Sequence, residues 1–219
     1  MKQLILVAAP PAHGKDFVAK RICERVHGTA YLDKDALAPL LHRAFALAGE
    51  RVNMDGAFYR DNLRDAEYET LVSLALSALE MTDCVVVNAP FLQQVRDEAY
   101  MKALKARANA LGAALLLVWV SVSDGVCYER MRARNAERDR QKLLNFAEYR
   151  RTVDTSAPLP LQETEAVDRL IVFDNENEKT FASSLRTVLD AVIGDIGNIN
   201  ERFFLKSLDK SFGLLYNNN

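Results

Sequence analysis

The sequence has too few cysteines for a disulfide frame. Cys23, Cys84 and Cys127 are an odd count with no CxxC pairing, each set in an apolar or helical stretch. They are expected to be reduced thiols in a cytoplasmic protein. A strong excess of charge is also missing. Twenty-eight basic residues against thirty acidic ones leave a net charge of −2, which gives no general attraction to nucleic acid or to an anionic membrane surface. Any polyanion would have to meet a local basic cluster. The N-terminal apolar run, Leu4 to Pro11, is far shorter than a signal peptide or a membrane span. No internal repeat is seen.

What is present is a core. Of 219 residues, 49% are hydrophobic, enough for one ordinary globular domain. Apolar runs of strand length recur at Leu4–Ala8, Ala30–Leu32, Cys84–Asn88, Ala113–Val120 and Leu170–Phe173. Helix-like segments separate them: Asp16–Val26, Ala36–Ala48, Tyr59–Met81, Gln94–Ala110, Asp124–Asn135, Phe146–Thr152 and Glu178–Ile193. Continuous apolar strands alternating with helices predict a parallel sheet covered on both faces. Such sheets bind ligands at the carboxyl ends of their strands. From Gly194 the pattern changes, since Gly194, Gly197, Asn198 and Asn200 interrupt the helix. The domain is therefore read as residues 1–193 and the tail as 194–219. In that tail Phe203, Phe204, Leu208, Phe212 and Leu215 would make a short amphipathic docking helix or a frayed end. A monomer and a homodimer both fit.

The first seventeen residues, MKQLILVAAPPAHGKDF, place a strand, a Pro/Ala/Gly turn and a Gly-Lys pair that opens a helix. This outlines a phosphate-binding loop, in which main-chain N–H groups and a lysine cradle the phosphates of a nucleotide. Lys15 would lie along the β- and γ-phosphates, with the N–H groups of Ala12, His13, Gly14, Lys15 and Asp16 turned toward them and Phe17 next in the contacting stretch. His13 is expected as an exposed loop residue. Two positions depart from the GxxxxGK[ST] pattern: Ala9 stands for the first Gly and Asp16 for the Ser/Thr that holds Mg²⁺. Asn88 ends the third strand, where an acid usually helps hold the same ion. An acid for a hydroxyl at Asp16 and an amide for an acid at Asn88 would leave the charge around Mg²⁺ unchanged. The same departures would also mark a decayed metal site, in which case the chain is a catalytically weak ATP-binding switch.

The first helix would run about 16 Å away from the loop at 1.5 Å per residue. The strand Thr29–Asp33 would return about as far at 3.3 Å per residue. The run Asp33-Lys34-Asp35 thus comes back level with the phosphates. A carboxylate there, Asp35, would accept the proton of an attacking hydroxyl; a helix cap is the compatible structural role for Asp33 or Asp35. The segment Tyr128–Lys142 carries Arg130, Arg132, Arg134, Arg138 and Arg140. On one helix Arg130, Arg134 and Arg138 share a face, where like charges repel unless offset. Glu137 can pair with Arg134 on a solvated face. A polyphosphate gripped by a mobile lid offsets the charges better. The segment Arg51–Asp65, with Tyr59, Arg60 and Arg64, is expected to roof an acceptor pocket.

Together these features over about Met1–Val192 resemble the small P-loop kinases of the AAA_33-type group, whose relatives include phage polynucleotide kinase, zeta toxins and chloramphenicol phosphotransferase. Lys15 is followed twenty residues on by Asp35; CVVVNAPFLQQVRD resembles the group's third strand and turn, and RMRARNAERDRQKLLNFAEYRR its lid and following helix. The run GKDFV is similar to the loop of animal phosphomevalonate kinase. The resemblance implies a three-layer α/β/α P-loop NTPase fold with a parallel five-stranded sheet and an Arg-rich helical lid at about 124–152. It also implies ATP and Mg²⁺ as cofactors, with Asp16 and Asn88 at the metal and Asp35 as base. Arg134 with Arg138 would close over the phosphates, assisted by Arg130. Asp33, Arg43, Tyr59 and Arg60 are the candidate substrate contacts. Where polynucleotide kinase and zeta toxins carry an Arg after the base, this chain has Ala36-Leu37-Ala38. The expected activity is phosphoryl transfer from ATP to a small-molecule acceptor, with a polynucleotide 5′-hydroxyl as the alternative acceptor.

Overall fold

In a computed structural model of the chain, residues 1–196 are described. The side chains of Arg138 and of residues 195 and 196 lie outside that description, as does the tail from residue 197, including the segment from Phe203 to Leu215. Five strands form one sheet: β1 (Lys2–Ala8), β2 (Thr29–Asp33), β3 (Cys84–Asn88), β4 (Ala113–Ser121) and β5 (Arg169–Asp174). Their order is β2-β3-β1-β4-β5 and every neighbouring pair is parallel. The largely apolar runs of β3 and β4 are buried almost throughout, while β5 at one edge alternates between exposed and buried residues. This is the distribution expected of a sheet covered on both faces.

Alternate residues of β1 serve two cores. Leu4, Leu6 and Ala8 pack with α4 (Arg64–Met81) and α5 (Glu98–Ala110), through Leu71, Leu79, Met101 and Leu104. Ile5 and Val7, with Ala9 just past the strand, pack on the other face with α1 (Lys15–Arg25) and α10 (Glu178–Ile196), through Val18, Ile22, Leu185 and Val188. A one-residue slip of β1 would exchange the two sets, so the register is strongly fixed. Between α1 and α4 lie α2 (Ala38–Leu47) and α3 (Ala57–Asn62); between β4 and β5 lie α6 (Asp124–Arg134), α7 (Glu137–Leu144), α8 (Phe146–Thr152) and α9 (Pro160–Glu163). Chain reversal about the central β1 opens a crevice at its carboxyl end. Among the described residues no helix is long and apolar enough to cross a membrane.

Three helix boundaries and one shared helix face differ from the sequence expectation. The stretch Tyr59–Met81 is divided at Leu63, whose φ of −119° interrupts the helix. Asp97 accepts a hydrogen bond from the Tyr100 N–H and so starts α5, leaving Gln94–Arg96 as a separate 3-10 turn. Gly194 does not end the last helix, which runs to Ile196. The arginine segment is not one helix: Asn135 takes left-handed backbone (φ 46°, ψ 34°) and ends α6, as a short polar side chain tolerates. Position 138 therefore belongs to α7, a separate helix from that of Arg130 and Arg134.

Candidate active site

The turn from β1 to α1 has left-handed backbone at Ala12 (φ 65°) and Gly14 (φ 83°). Such residues let successive N–H groups converge on one anion. Gly14 is the N-cap of α1, whose first N–H groups have no acceptor within the helix. A β-carbon on Gly14 would approach Asn175 Nδ2 to 2.5 Å, so glycine is required there for space as well as for φ. Two side chains brace the loop from behind. Asn175, after β5, donates to the His13 carbonyl at 2.8 Å. Arg130 on α6 donates to the same carbonyl at 3.2 Å and to the Asn175 carbonyl at 2.7 Å.

His13 differs from expectation. Its side chain is buried, the residue being only 1% exposed, and its ring Nδ1 donates to the Pro11 carbonyl at 3.0 Å. Burial lowers its pKa, and the charges of Arg150 and Arg130 act in the same direction. The ring supports the loop from within. Phe17 likewise turns from the crevice, its ring 5.2 Å from that of Phe181 on α10.

On the open side, Lys15 Nζ lies 2.5 Å from Asp16 Oδ1. The same oxygen accepts from Asn88 Nδ2 at 2.9 Å. Burial opposes ionisation of Asp16, but these hydrogen bonds outweigh it and hold its pKa below the usual carboxylate value. Asn88 Nδ2 also lies 3.0 Å from Asp33 Oδ2 and 3.1 Å from the Tyr31 hydroxyl, which itself donates to Asp33 at 2.7 Å. Asn88 thus turns a donor toward two carboxylates, and its own Oδ1 is buried without a hydrogen-bond partner. Asp33 Oδ1 accepts from the Asp35 N–H at 3.0 Å and caps the 3-10 turn Lys34–Leu37. The capping role is therefore taken by Asp33, and Asp35 lines the crevice beside Lys15 and Asp16. Mg²⁺ needs only one or two protein carboxylates besides phosphate oxygens and water. Asp16, with its side chain 58% exposed, fits that requirement; Asn88 would contribute by orienting it.

The crevice has a volume of about 1130 Å³ and brings together Lys15, Asp16, Asp35, Tyr59, Arg60, Arg64, Arg130 and Arg134. Arg43 is exposed on α2 and does not line it. Arg134 does not pair with Glu137. Its Nε and Nη2 both reach Asp139 Oδ2, at 2.8 and 2.7 Å, whereas Glu137 pairs with Arg140. The turn at Asn135 folds α7 back so that Asp139, four positions beyond, meets the end of α6. Asp139 is fully buried, with Oδ1 unpartnered.

Sequence reasoning did not reveal the roles of four of these side chains. Asp139 was hidden in a run of charge that reads as a solvated face. Glu67 lies on α4 among polar residues, yet is 4% exposed and takes Lys34 Nζ at 2.7 Å on one oxygen and the Tyr59 hydroxyl at 2.5 Å on the other. Lys34 was passed over between two aspartates, and the bracing by Asn175 depends on a contact 162 residues away.

A sequence profile of the AAA_33 family, described as an AAA domain, matches residues 4–159. The chain belongs to the AAA_33 family. Among curated proteins none matches it significantly. Solved structures share the fold of this AAA_33 domain. A sugar kinase from Janibacter sp. HTCC2649 is 14% identical, with a TM-score of 0.58 over 91% of this chain and 100% of that one. Shikimate kinase from Bacteroides thetaiotaomicron is 12% identical, with a TM-score of 0.50 over 87% of this chain and 98% of that one. Within the AAA_33 domain, the matched span includes the loop, Asp35, Asn88 and the arginine segment; Asn175 lies beyond it.

Proposed function

We propose that this AAA_33 domain is a kinase that transfers the γ-phosphate of ATP, with Mg²⁺, to a small-molecule acceptor. The reading is carried by one observation: the loop of Gly14 and Lys15, a carboxylate at Asp16 and a second, uncapped carboxylate at Asp35 all open on one crevice. The bound nucleotide supplies the transferable phosphoryl group. Lys15 and the N–H groups of residues 12–16 hold its phosphates, and Asp16, oriented by Asn88, holds the metal. Asp35 takes the proton from the acceptor hydroxyl. Arg134, aligned by Asp139, stabilises charge on the transferring group, with Arg138 as its neighbour on α7. Arg130 acts through the loop it braces. Residues 1–193 form the kinase domain and about 124–152 its lid, which closes to exclude water. Tyr59 and Arg60 contact the acceptor. A cytoplasmic setting is supported by free Cys23, Cys84 and Cys127.

The test is ATP consumption with Mg²⁺ in the presence and absence of a panel of sugars, sugar acids, nucleosides and antibiotics. Acceptor-dependent turnover that disappears in Lys15→Met is expected. A second reading has its own observation, the ion pair that Lys15 makes with Asp16 at the position where the family's loop has a hydroxyl: a nucleotide-binding switch would bind ATP tightly and show no turnover with any acceptor.

A further inference from the structure

Resting on the reading of the crevice as a phosphoryl-transfer site, we propose that the acceptor carries a carboxylate or phosphate, and that Arg64, assisted by Arg60, receives it. Three cations stand on the acceptor wall: Lys34, Arg60 and Arg64. Lys34 is already spent. Its partner Glu67 has a side chain only 1% exposed, and Lys34 also lies over the rings of Tyr59 and Tyr68, at 5.9 and 5.8 Å. Both oxygens of Glu67 are engaged, one by Lys34 and one by Tyr59. The pair cancels within the wall.

Arg64 has no comparable counter-charge. Its side chain is 23% exposed, yet its ion pair runs from Nε to Asp65 at 3.1 Å, a carboxylate 84% exposed, where water screens the attraction. Among the described residues neither terminal nitrogen of Arg64 is held. That terminal pair can grip a carboxylate or phosphate end-on through two parallel N–H···O bonds. Arg64 lines the same crevice as Tyr59, Tyr68 and Lys34, so its cation stands on a wall where the charge of Lys34 is already neutralised by Glu67. Arg60 donates through Nη1 to the Asp55 carbonyl at 2.8 Å, a neutral acceptor that fixes the side chain without cancelling its charge. Asp55 also lines the crevice. Its carboxylate opposes an anion near Arg60, which makes Arg64 the main contact.

The test fills the phosphate loop of the full chain with Mg²⁺ and AMP-PNP, then titrates inorganic phosphate and, separately, malonate by calorimetry. One equivalent of at least one of them is expected to bind, and malonamide, the neutral counterpart of malonate, is expected not to. Arg64→Gln should weaken that binding by about tenfold or more and Arg60→Gln by less, with AMP-PNP affinity unchanged. Phosphate alone or malonate alone identifies which acid the site takes. Binding of neither anion, or equal binding in Arg64→Gln, overturns the proposal. If AMP-PNP itself does not bind, the kinase reading falls separately, and the anion titration of the free chain still decides the subsite by its dependence on Arg64.

Discussion

Asn88 and Asp16 are 72 residues apart in sequence, yet the amide nitrogen of one donates to the carboxylate of the other at 2.9 Å. Where a P-loop enzyme commonly places a hydroxyl and an acid near its Mg²⁺, this chain places an acid and an amide at positions that touch. The exchange would keep one carboxylate at a bound metal, and it supplies a donor that holds that carboxylate in place.

If that exchange is functional, it can be reversed. Asp16→Ser should lower Mg²⁺-dependent turnover by on the order of 100-fold. Adding Asn88→Asp should recover part of the loss. Asn88→Asp alone puts a third carboxylate against Asp16 and Asp33 and should lower the melting temperature, with Mg²⁺ restoring part of it. Steady-state kinetics and thermal unfolding with and without Mg²⁺ read these outcomes; a double variant no better than Asp16→Ser would separate Asn88 from the metal.

The Lys34–Glu67 pair should be costly to break and cheap to replace. Glu67→Leu leaves the Lys34 ammonium buried alone and should cost about 3 kcal/mol or more in urea unfolding. Lys34→Met combined with Glu67→Leu removes both charges and should return to within about 1 kcal/mol of the parent. A double-mutant cycle with no coupling would show that the pair is solvated.

These cases show what the sequence could and could not reveal. Strands were legible because β3 and β4 are largely apolar runs, and burial on both faces follows from such runs. The loop and Asp35 were legible because strand and helix lengths fix where the chain returns. Asp139 and Glu67 were not, because a carboxylate in a charged helix has the same pattern whether it faces water or a buried cation. The fold-back of α7 after Asn135 was also hidden, since arginines spaced four apart at 130, 134 and 138 read as one helix face. His13 was misplaced for a related reason: a polar ring in a phosphate-facing loop reads as exposed until its acceptor, the Pro11 carbonyl, is found two residues away.

Asp139 should matter through Arg134. It is buried and receives both Nε and Nη2 of that arginine, so Asp139→Asn weakens the hold while keeping the shape. Turnover should fall about tenfold, with ATP affinity nearly unchanged, because a misaligned guanidinium is felt mainly in the transition state. Asp139→Glu should restore little, since the longer side chain does not fit the same buried site. A rise in KM for ATP with kcat intact would instead place Arg134 in ground-state binding.

His13 gives the loop a pH dependence whose sign follows from burial. Its folded pKa lies below the ordinary value of 6.5, so the neutral ring is the native form. Above pH 6.5 the ring is neutral in both folded and unfolded chains, and the full stability is present. As the pH falls below that value the unfolded chain binds a proton that the folded chain refuses, and stability is lost at up to about 1.4 kcal/mol per pH unit. His13→Gln keeps a donor for the Pro11 carbonyl but cannot titrate. Unfolding free energies measured from pH 8 to pH 5 should therefore converge for parent and variant as the pH is lowered, the parent losing more. Parallel curves would mean that the ring accepts its proton in the folded chain as readily as in the unfolded one.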